Sequence, residues 1–424
     1  MSDQAVTLLV FALSVALFVS DVLPMGLVVL AVPVALYLAG IIPAADVFAP
    51  LVGPSVILIV AMGVVGAALF KTGMAERMGR FLFGFAPGER SLVFAIALFA
   101  GVMSGFVSNT GTVAVLLPIV MGVASARRIP PSRLLMPLCY AATLGGNLSI
   151  IGSPGNLIAK ETIERLSDGA MTVGFFEYAK AGVPMLVVGA AFLALCGPRI
   201  LPSRGDAGSS KQRPAAPGAR TGRKGVFSLV VLVLTVVGMV VSDMTKALPP
   251  MHVIACLGAM SLVLVRVLTQ KEAFAAFDLQ AVFLLSFMTP LGTAMVKTGA
   301  AATVARSVSD AVGGQSVLVL TAVMWLITWA MTQVMSNTAA CALLCPVAWS
   351  VATSLGADPR AVVIAVLIAS SVGVCTPLAI PANSLILEPG GLRFRDFLLP
   401  GLAVSACCFV LSIVLLPLLY PFYP

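Results

Sequence analysis

The sequence predicts an all-α polytopic membrane protein made of two inverted-topology repeats, each with a re-entrant helical hairpin and a broken helix. Three observations support this fold class: a very apolar composition, a pattern that occurs in both halves, and matched polar interruptions inside apolar segments. The chain is 60% hydrophobic and 10% charged, and its mean hydropathy is +1.08. These values are typical of multi-span membrane proteins.

Apolar segments long enough to cross the hydrocarbon core recur along the whole chain. The candidate spans are 8–20, 25–42, 56–70, 183–196, 226–242, 253–268, 281–296 and 404–419. No basic residue precedes the first of them. We therefore expect a first spanning helix there and not a cleaved signal peptide.

The net charge of +8 is interpreted as a topological signal and not as nucleic-acid binding, because cytoplasmic loops are enriched in Lys and Arg. Residues 199–225 mix basic residues with Pro, Gly and Ser, which predicts a flexible basic cytoplasmic linker. Five spans before this linker place the N-terminus outside, and the C-terminus is also expected outside. This topology puts 18 of the 25 Lys and Arg residues inside and 7 outside. The expected location is a bacterial inner (plasma) membrane.

The two halves of the chain share a pattern at a nearly constant offset, which indicates a duplication. The matched pairs are Lys71 with Lys297, Ser108 with Ser336, Pro118 with Pro346 and Pro154 with Pro381. The predicted repeats are 1–198 and 226–424. An odd number of spans in the first repeat inverts the second, and inverted repeats place a substrate site near the midplane between the copies.

Each half contains a polar triplet inside an apolar run, as VSNTGTVAVLLPIV at 107–120 and MSNTAACALLCPVA at 335–348. We expect two half-helices that meet at the triplet, because irregular backbone at this depth is tolerated only where it lines a cavity or is buried in protein. The N-terminal amides of the second half-helix suit an anion. Carbonyls and hydroxyls at the end of the first suit a small hard cation.

A second polar interruption follows in each half, at 145–156 and at 373–383. Glycine permits an unwound backbone, and proline removes an N–H and stops a helix. Asn156 and Asn383 carry both donors and acceptors and could therefore hold an anion or a cation. Small polar residues also mediate ordinary helix packing in membranes. Two sets in register favour a binding role over packing alone.

Neither polar set contains Asp, Glu, His, Arg or Lys. Proton-coupled carriers commonly use an ionisable residue within the membrane, so a proton antiporter is disfavoured. An anion held without Arg or Lys needs positive charge from co-bound cations and helix N-termini, which favours sodium coupling. An enzyme is also disfavoured, because serine nucleophiles need a base and His252, the single histidine, is distant in sequence.

The triplets and the paired Gly/Pro/Asn interruptions resemble the divalent-anion:sodium symporter family, the di-/tricarboxylate and sulfate carriers of the ion transporter superfamily. The resemblance implies a homodimeric elevator carrier. Its scaffold would be about 1–90 and 226–313, and its transport part about 91–198 and 314–420. It implies sodium symport of small divalent anions, first of all C4-dicarboxylates such as succinate. A sulfate or other oxyanion carrier and a sodium-independent anion exchanger stay open as alternatives.

The resemblance also implies individual site residues. The substrate would contact Asn109, Thr110, Asn337, Thr338 and Pro381. At least two sodium sites are implied, formed by Ser104, Ser108, Asn109 and Gly152 in the first copy and by Thr332, Ser336, Asn337 and Ala379 in the second. The chain departs from the usual family motifs with SNTGT, SPGN and IPAN. Gly111 and Gly155 are therefore expected to widen the pocket.

Overall fold

The computed structural model describes residues 2–20, 22–205, 222–245, 247–312 and 316–423. Within these ranges the chain is helical, with no strand. Most of the predicted linker, 206–221, lies outside the described residues.

Ten α-helices precede the linker: α1 Asp3–Ser20, α2 Met25–Leu38, α3 Ala44–Phe48, α4 Pro54–Lys71, α5 Met74–Gly84, α6 Glu89–Ser104, α7 Asn109–Arg127, α8 Ser132–Gly145, α9 Pro154–Leu166 and α10 Ala179–Ile200. Ten follow it among the described residues: α11 Arg223–Thr245, α12 Met251–Leu264, α13 Gln270–Ala275, α14 Leu279–Lys297, α15 Ala300–Val312, α16 Val317–Thr332, α17 Asn337–Ser354, α18 Pro359–Ser371, α19 Pro381–Leu385 and α20 Leu398–Leu419. Short 3₁₀ helices occur at Ala49–Val52, Gly146–Leu148 and Phe394–Phe397.

The helices of the two halves correspond in order, as the repeat pattern predicts. For example, α6 and α16 end at Ser104 and Thr332, and α7 and α17 begin at Asn109 and Asn337. The structure thus has a helix break wherever the sequence predicts one. The opposite orientation of the copies and an elevator movement stay predictions.

Seven helical segments of the described chain are long and apolar enough to cross a membrane: Asp3–Ser20, Ala44–Lys71, Asn109–Arg127, Ala179–Ile200, Arg223–Thr245, Leu279–Lys297 and Phe394–Leu419. Each of the eight predicted spans coincides with a helix, although 25–42 and 253–268 run past the ends of α2 and α12. One expectation is wrong in length, because α7 has 19 residues and is longer than a half-helix. Whether α6 and α7 form a re-entrant hairpin stays a prediction.

The helices that carry the polar interruptions form the centre of the molecule. Every residue of α18 except Arg360 is buried, and every residue of α8 except Arg133 is buried. Helices that are apolar all round are expected inside a bundle. Here α8 packs against α6, α7 and α10, and α18 packs against α16, α17 and α9. This arrangement holds the two interruptions deep in the protein.

A second group of helices flanks this centre. Helix α2 packs against α14, and α4 packs against α11 and α12. Helix α14 also contacts α9 and α17, so it joins the two groups. The division into scaffold and transport parts, with its bounds, stays a prediction.

Charged residues predicted to share one side of the membrane do meet in the structure. Lys71 Nζ lies 2.6 Å from Glu272 Oε2, and both are assigned to the inside. Lys180 Nζ lies 2.6 Å from Glu177 Oε1, and both are assigned to the outside. Half-exposed pairs of this kind add little stability. Lys180 and Glu177 are three residues apart, so their pairing does not test the topology, and the identity of the cytoplasmic face stays a prediction.

Candidate functional site

The first tip, residues 104–110, joins α6 to α7. Ser108 caps α7 by accepting a hydrogen bond from the Gly111 backbone N–H at 3.2 Å. The hydroxyl of Ser104, at the end of α6, donates to Asn109 Oδ1 at 2.6 Å. Ser104 is buried, so this bond is shielded from solvent. A hydroxyl oxygen and an amide oxygen therefore converge where one helix ends and the next begins.

The second tip, residues 332–338, has the same hydrogen-bond pattern. Ser336 caps α17 by accepting from the Ala339 backbone N–H at 3.2 Å. The hydroxyl of buried Thr332 lies 2.8 Å from Asn337 Oδ1 and 2.7 Å from the carbonyl oxygen of Ser370. Both predicted hydroxyls, at 104 and 332, thus contact the amide of their own triplet.

Two buried asparagines support the unwound backbone behind the tips. Asn156 Nδ2 donates to the carbonyls of Gly146 at 2.7 Å and Ser149 at 2.5 Å. Asn383 Nδ2 donates in the same way to Gly373 at 2.9 Å and Thr376 at 2.8 Å. Both asparagine side chains are fully buried. Their amide N–H groups therefore satisfy carbonyls that a broken helix leaves free.

Two hydroxyl groups that the sequence analysis missed connect these breaks to the tips. Ser149 Oγ donates to the carbonyl of Gly105 at 2.5 Å, and Thr376 Oγ1 donates to that of Gln333 at 2.8 Å. The two donors are separated by the same offset as Pro154 and Pro381, and this match is the signal that could have revealed them. Each tip is thus held to the break of its own copy.

Glycine is required where each break touches its tip. A Cβ on Gly146 would lie 2.9 Å from Asn109 Oδ1, and a Cβ on Gly373 would lie 2.9 Å from Asn337 Oδ1. Both contacts are closer than real Cβ atoms normally allow. The triplet asparagines therefore lie directly against the backbone of the breaks.

The donor set around the first tip fits a small hard cation. A Cβ on Gly152 would lie 2.4 Å from the Gly146 carbonyl oxygen and 3.0 Å from that of Gly105. Gly105 directly follows Ser104 in the chain, and Gly146 lies against Asn109, since its Cβ would be 2.9 Å from Asn109 Oδ1. All the groups are uncharged oxygens, the ligand type that such cations prefer. In the second copy Ala379 stands at the position of Gly152.

Both tips line one cavity of about 150 Å³, which we call the tip cavity. Its lining includes these residues predicted from the sequence: Ser108, Asn109, Thr110, Gly152, Ser336, Asn337, Thr338, Ala379 and Pro381. Ser104 and Thr332 do not line it, since they are buried behind the triplet asparagines. The structure therefore brings the predicted substrate residues of both halves together.

The two glycines expected to widen the pocket do not act alike. A Cβ on Gly111 would lie 2.5 Å from Cε2 of Phe70, so this glycine admits a ring from α4 against the tip. A Cβ on Gly155 would lie at ordinary contact distance from Leu367 and Cys341, and Gly155 does not line the tip cavity. The predicted widening is not seen at Gly155.

The wall opposite the tips also contains residues that sequence reasoning missed. Asp278 and Gln280, at the start of α14, line the tip cavity. Among the described residues that line it, Asp278 is the one with an ionisable side chain. Asp278 lies outside the polar interruptions that the sequence singles out, and another helix contributes this carboxylate to the cavity.

A known family matches the chain over nearly its whole length. The sequence model of the family described as "Citrate transporter" matches residues 15–251 and 244–423. The chain belongs to the citrate transporter family. This places it among membrane transporters and not among enzymes, and it agrees with the resemblance to sodium-coupled anion carriers.

Curated relatives match parts of this citrate transporter family member. It is 34% identical over 150 residues to the uncharacterized transporter YfbS of Escherichia coli strain K12, covering 35% of this chain and 24% of that protein. It is 31% identical over 144 residues to the probable sodium/sulfate cotransporter 3 of Chlamydomonas reinhardtii, covering 32% and 16%. These matches therefore span only a minor part of the relatives' length.

Solved transporter structures share the fold over nearly the whole chain. The YdaH transporter of Alcanivorax borkumensis superposes with a TM-score of 0.64 at 17% identity, covering 92% of this chain and 90% of that one. MtrF of Neisseria gonorrhoeae gives 0.61 at 15% identity, covering 92% and 86%. At such identities the likeness concerns the fold alone.

Proposed function

We propose that the protein is a sodium-coupled symporter of small divalent anions, with C4-dicarboxylates such as succinate as the first substrate class. One observation carries this proposal. The N-termini of α7 and α17 open into a single cavity that no Lys, Arg or His of the described chain lines. Helix N-termini attract anions, and their partial charges alone are small for a divalent anion. Bound sodium ions would supply the remaining positive charge.

The anion would contact the residues that begin these helices, Asn109 and Thr110 in one copy and Asn337 and Thr338 in the other, near Pro381. Sodium would lie behind them. The first site would use Ser104, Ser108, Asn109 and Gly152, and the second Thr332, Ser336, Asn337 and the carbonyl of Ala379. Shared asparagines would link the two kinds of site. Cation binding would then orient the same amides that meet the anion.

Alternating access would follow from movement of the transport part, about 91–198 and 314–420, against the scaffold, about 1–90 and 226–313. The packing of α6, α8 and α10 as one group and of α4, α11 and α12 as another supports such a division. A homodimer held by the scaffold, in a bacterial inner membrane with both termini outside, completes the proposal.

Uptake by proteoliposomes tests the function. Purified protein should accumulate labelled succinate when an inward sodium gradient is present and should do so far less when choline replaces sodium. Unlabelled citrate and sulfate, added as competitors of labelled succinate, rank the anions by their affinity for the transporter. Absence of uptake for all three anions, by protein whose folding is verified, would refute the proposal.

A sulfate carrier is the second candidate, because two relatives in Chlamydomonas reinhardtii are named sodium/sulfate cotransporters 1 and 2. Stronger competition by sulfate than by succinate would favour it. Loading the vesicles with unlabelled anion distinguishes a sodium-independent exchanger from a sodium symporter. Uptake that needs this internal anion and ignores sodium would identify exchange.

A further inference from the structure

Asp278 introduces a negative charge next to the proposed anion site. It lines the tip cavity and also an adjoining cavity of about 270 Å³ that includes Phe70, Ser108 and Gly152. Asp278 is an exposed residue. Within the part of the chain that the structure describes, no Lys, Arg or His lines either cavity. Lys71, the basic residue at the end of α4, is already paired with Glu272.

Helix capping explains part of the role of Asp278 but does not require its charge. Asp278 Oδ1 accepts a hydrogen bond from the Ala281 backbone N–H at 3.0 Å and so caps α14. Asn or Ser would cap this helix comparably well. In the other copy, the residue before α4 is Gly53, which makes no side-chain cap. At the offset of Lys71 and Lys297, the counterpart of Asp278 is the uncharged Val52, so the charge is present in one copy only.

We propose that Asp278 is a specificity-determining residue that makes anion binding depend on prior occupation of the cation sites. The inference rests on the proposed function. In the absence of sodium, the carboxylate gives the cavity a net negative charge that repels a multivalent anion. It also cancels the positive end of α14, which would otherwise attract one. Sodium bound behind the tips offsets this charge and admits the anion.

Asp278 would weaken anion binding on one side of the membrane only. Asp278 precedes α14, which belongs to the predicted scaffold, whereas both tips belong to the predicted transport part. A movement that carries the tips away would separate the anion from the carboxylate. Val52 and Gly53, which precede α4 in the other copy, would present no charge. Asp278 would therefore promote release of the anion on the side where it faces the site.

The substitution Asp278→Asn tests the inference, because Asn keeps a helix cap and removes the charge. We expect the Kd for succinate in low sodium to fall on the order of tenfold, the scale of one charge acting on a divalent anion in the same cavity under partial screening. The dependence of this Kd on sodium should become shallower. Calorimetry on purified protein, with sodium replaced by choline in steps, measures both quantities.

A charge-restoring variant distinguishes the effect of the lost charge from the effect of a local change in structure. Gln280 lines the same cavity, so Asp278→Asn combined with Gln280→Glu returns one negative charge to the wall. The double variant should regain the wild-type sodium dependence. Asp278→Ser provides a second neutral cap in case the Asn variant does not fold.

The outcomes distinguish the inference from the function on which it rests. If wild-type protein binds succinate in a sodium-dependent manner and both neutral variants match it, the inference is wrong and the proposed function stands. If the double variant behaves like the single one, a charge mechanism is also refuted. If wild-type protein binds neither succinate nor sulfate nor citrate at any sodium concentration, the proposed function fails and the inference fails with it.

Discussion

The substitution Gly146→Ala tests whether the contact between tip and break determines sodium affinity. The added Cβ would lie 2.9 Å from Asn109 Oδ1, whereas ordinary contacts begin at 3.4 Å. The amide oxygen must therefore move away from the break. This oxygen accepts the 2.6 Å hydrogen bond of Ser104. The substitution leaves every oxygen donor present and displaces only one of them.

Overpacking of this kind costs about 1–3 kcal/mol. If Asn109 binds sodium, part of this free energy appears as weaker binding, and each 1.4 kcal/mol corresponds to about a tenfold change. We therefore expect the sodium concentration for half-maximal uptake to rise about tenfold. The assay is succinate uptake in proteoliposomes at increasing sodium, with reconstituted protein quantified.

Two comparisons make the result decisive. Gly122→Ala, in the same helix as Asn109, is the matched control, since its Cβ would meet no atom within 4 Å. Gly373→Ala should reproduce the effect, because its Cβ would lie 2.9 Å from Asn337 Oδ1. Wild-type sodium dependence in both tip-facing variants would show that the triplet amides do not hold the cation.

The hydrogen bonds of the tips and of the breaks behind them lead to three more predictions. Asn109→Ala and Asn337→Ala should each abolish succinate uptake, while size-exclusion chromatography shows that the protein still folds and inserts. Uptake at the wild-type level by either variant would remove that asparagine from the site. Ser104→Ala and Thr332→Val should raise the sodium concentration for half-maximal uptake several-fold and should change the uptake rate at saturating sodium little. An unchanged sodium dependence of uptake in both variants would refute the cation assignment. Asn156→Asp should lower the free energy of unfolding by about 2–4 kcal/mol, since it disrupts two buried hydrogen bonds, and an unchanged melting temperature would contradict the supporting role.

Much of the fold could be predicted because the membrane limits the choices. Apolar segments long enough to span the bilayer identify α1, α4, α10 and α11 directly. The duplicated Ser-Asn-Thr triplets predict where α7 and α17 begin, since Ser is a preferred N-cap. Capping is a local property that depends on a few adjacent residues. Such features can be read from sequence alone.

The roles of Asn156 and Asp278 could not be predicted in this way. Asn156 satisfies two carbonyls whose position depends on how the chain unwinds after α8. Asp278 reaches the tip cavity because α14 packs against α9 and α17, elements from both halves. Both roles follow from tertiary packing, which a repeat offset does not specify. The sequence therefore predicts the members of the site better than the residues that support them.

The differences between the copies bear on how the two access states would differ in energy. Two identical inverted copies would give states of similar stability, because each state would exchange the roles of the halves. This chain keeps the hydrogen bonds of the tips in both copies, as the Ser104–Asn109 and Thr332–Asn337 pairs show. It varies the surroundings instead, with Asp278 at the position of the uncharged Val52. Selection for cation binding would preserve the hydrogen bonds of the tips in both copies. Selection for anion release on one side would act on the charge at position 278.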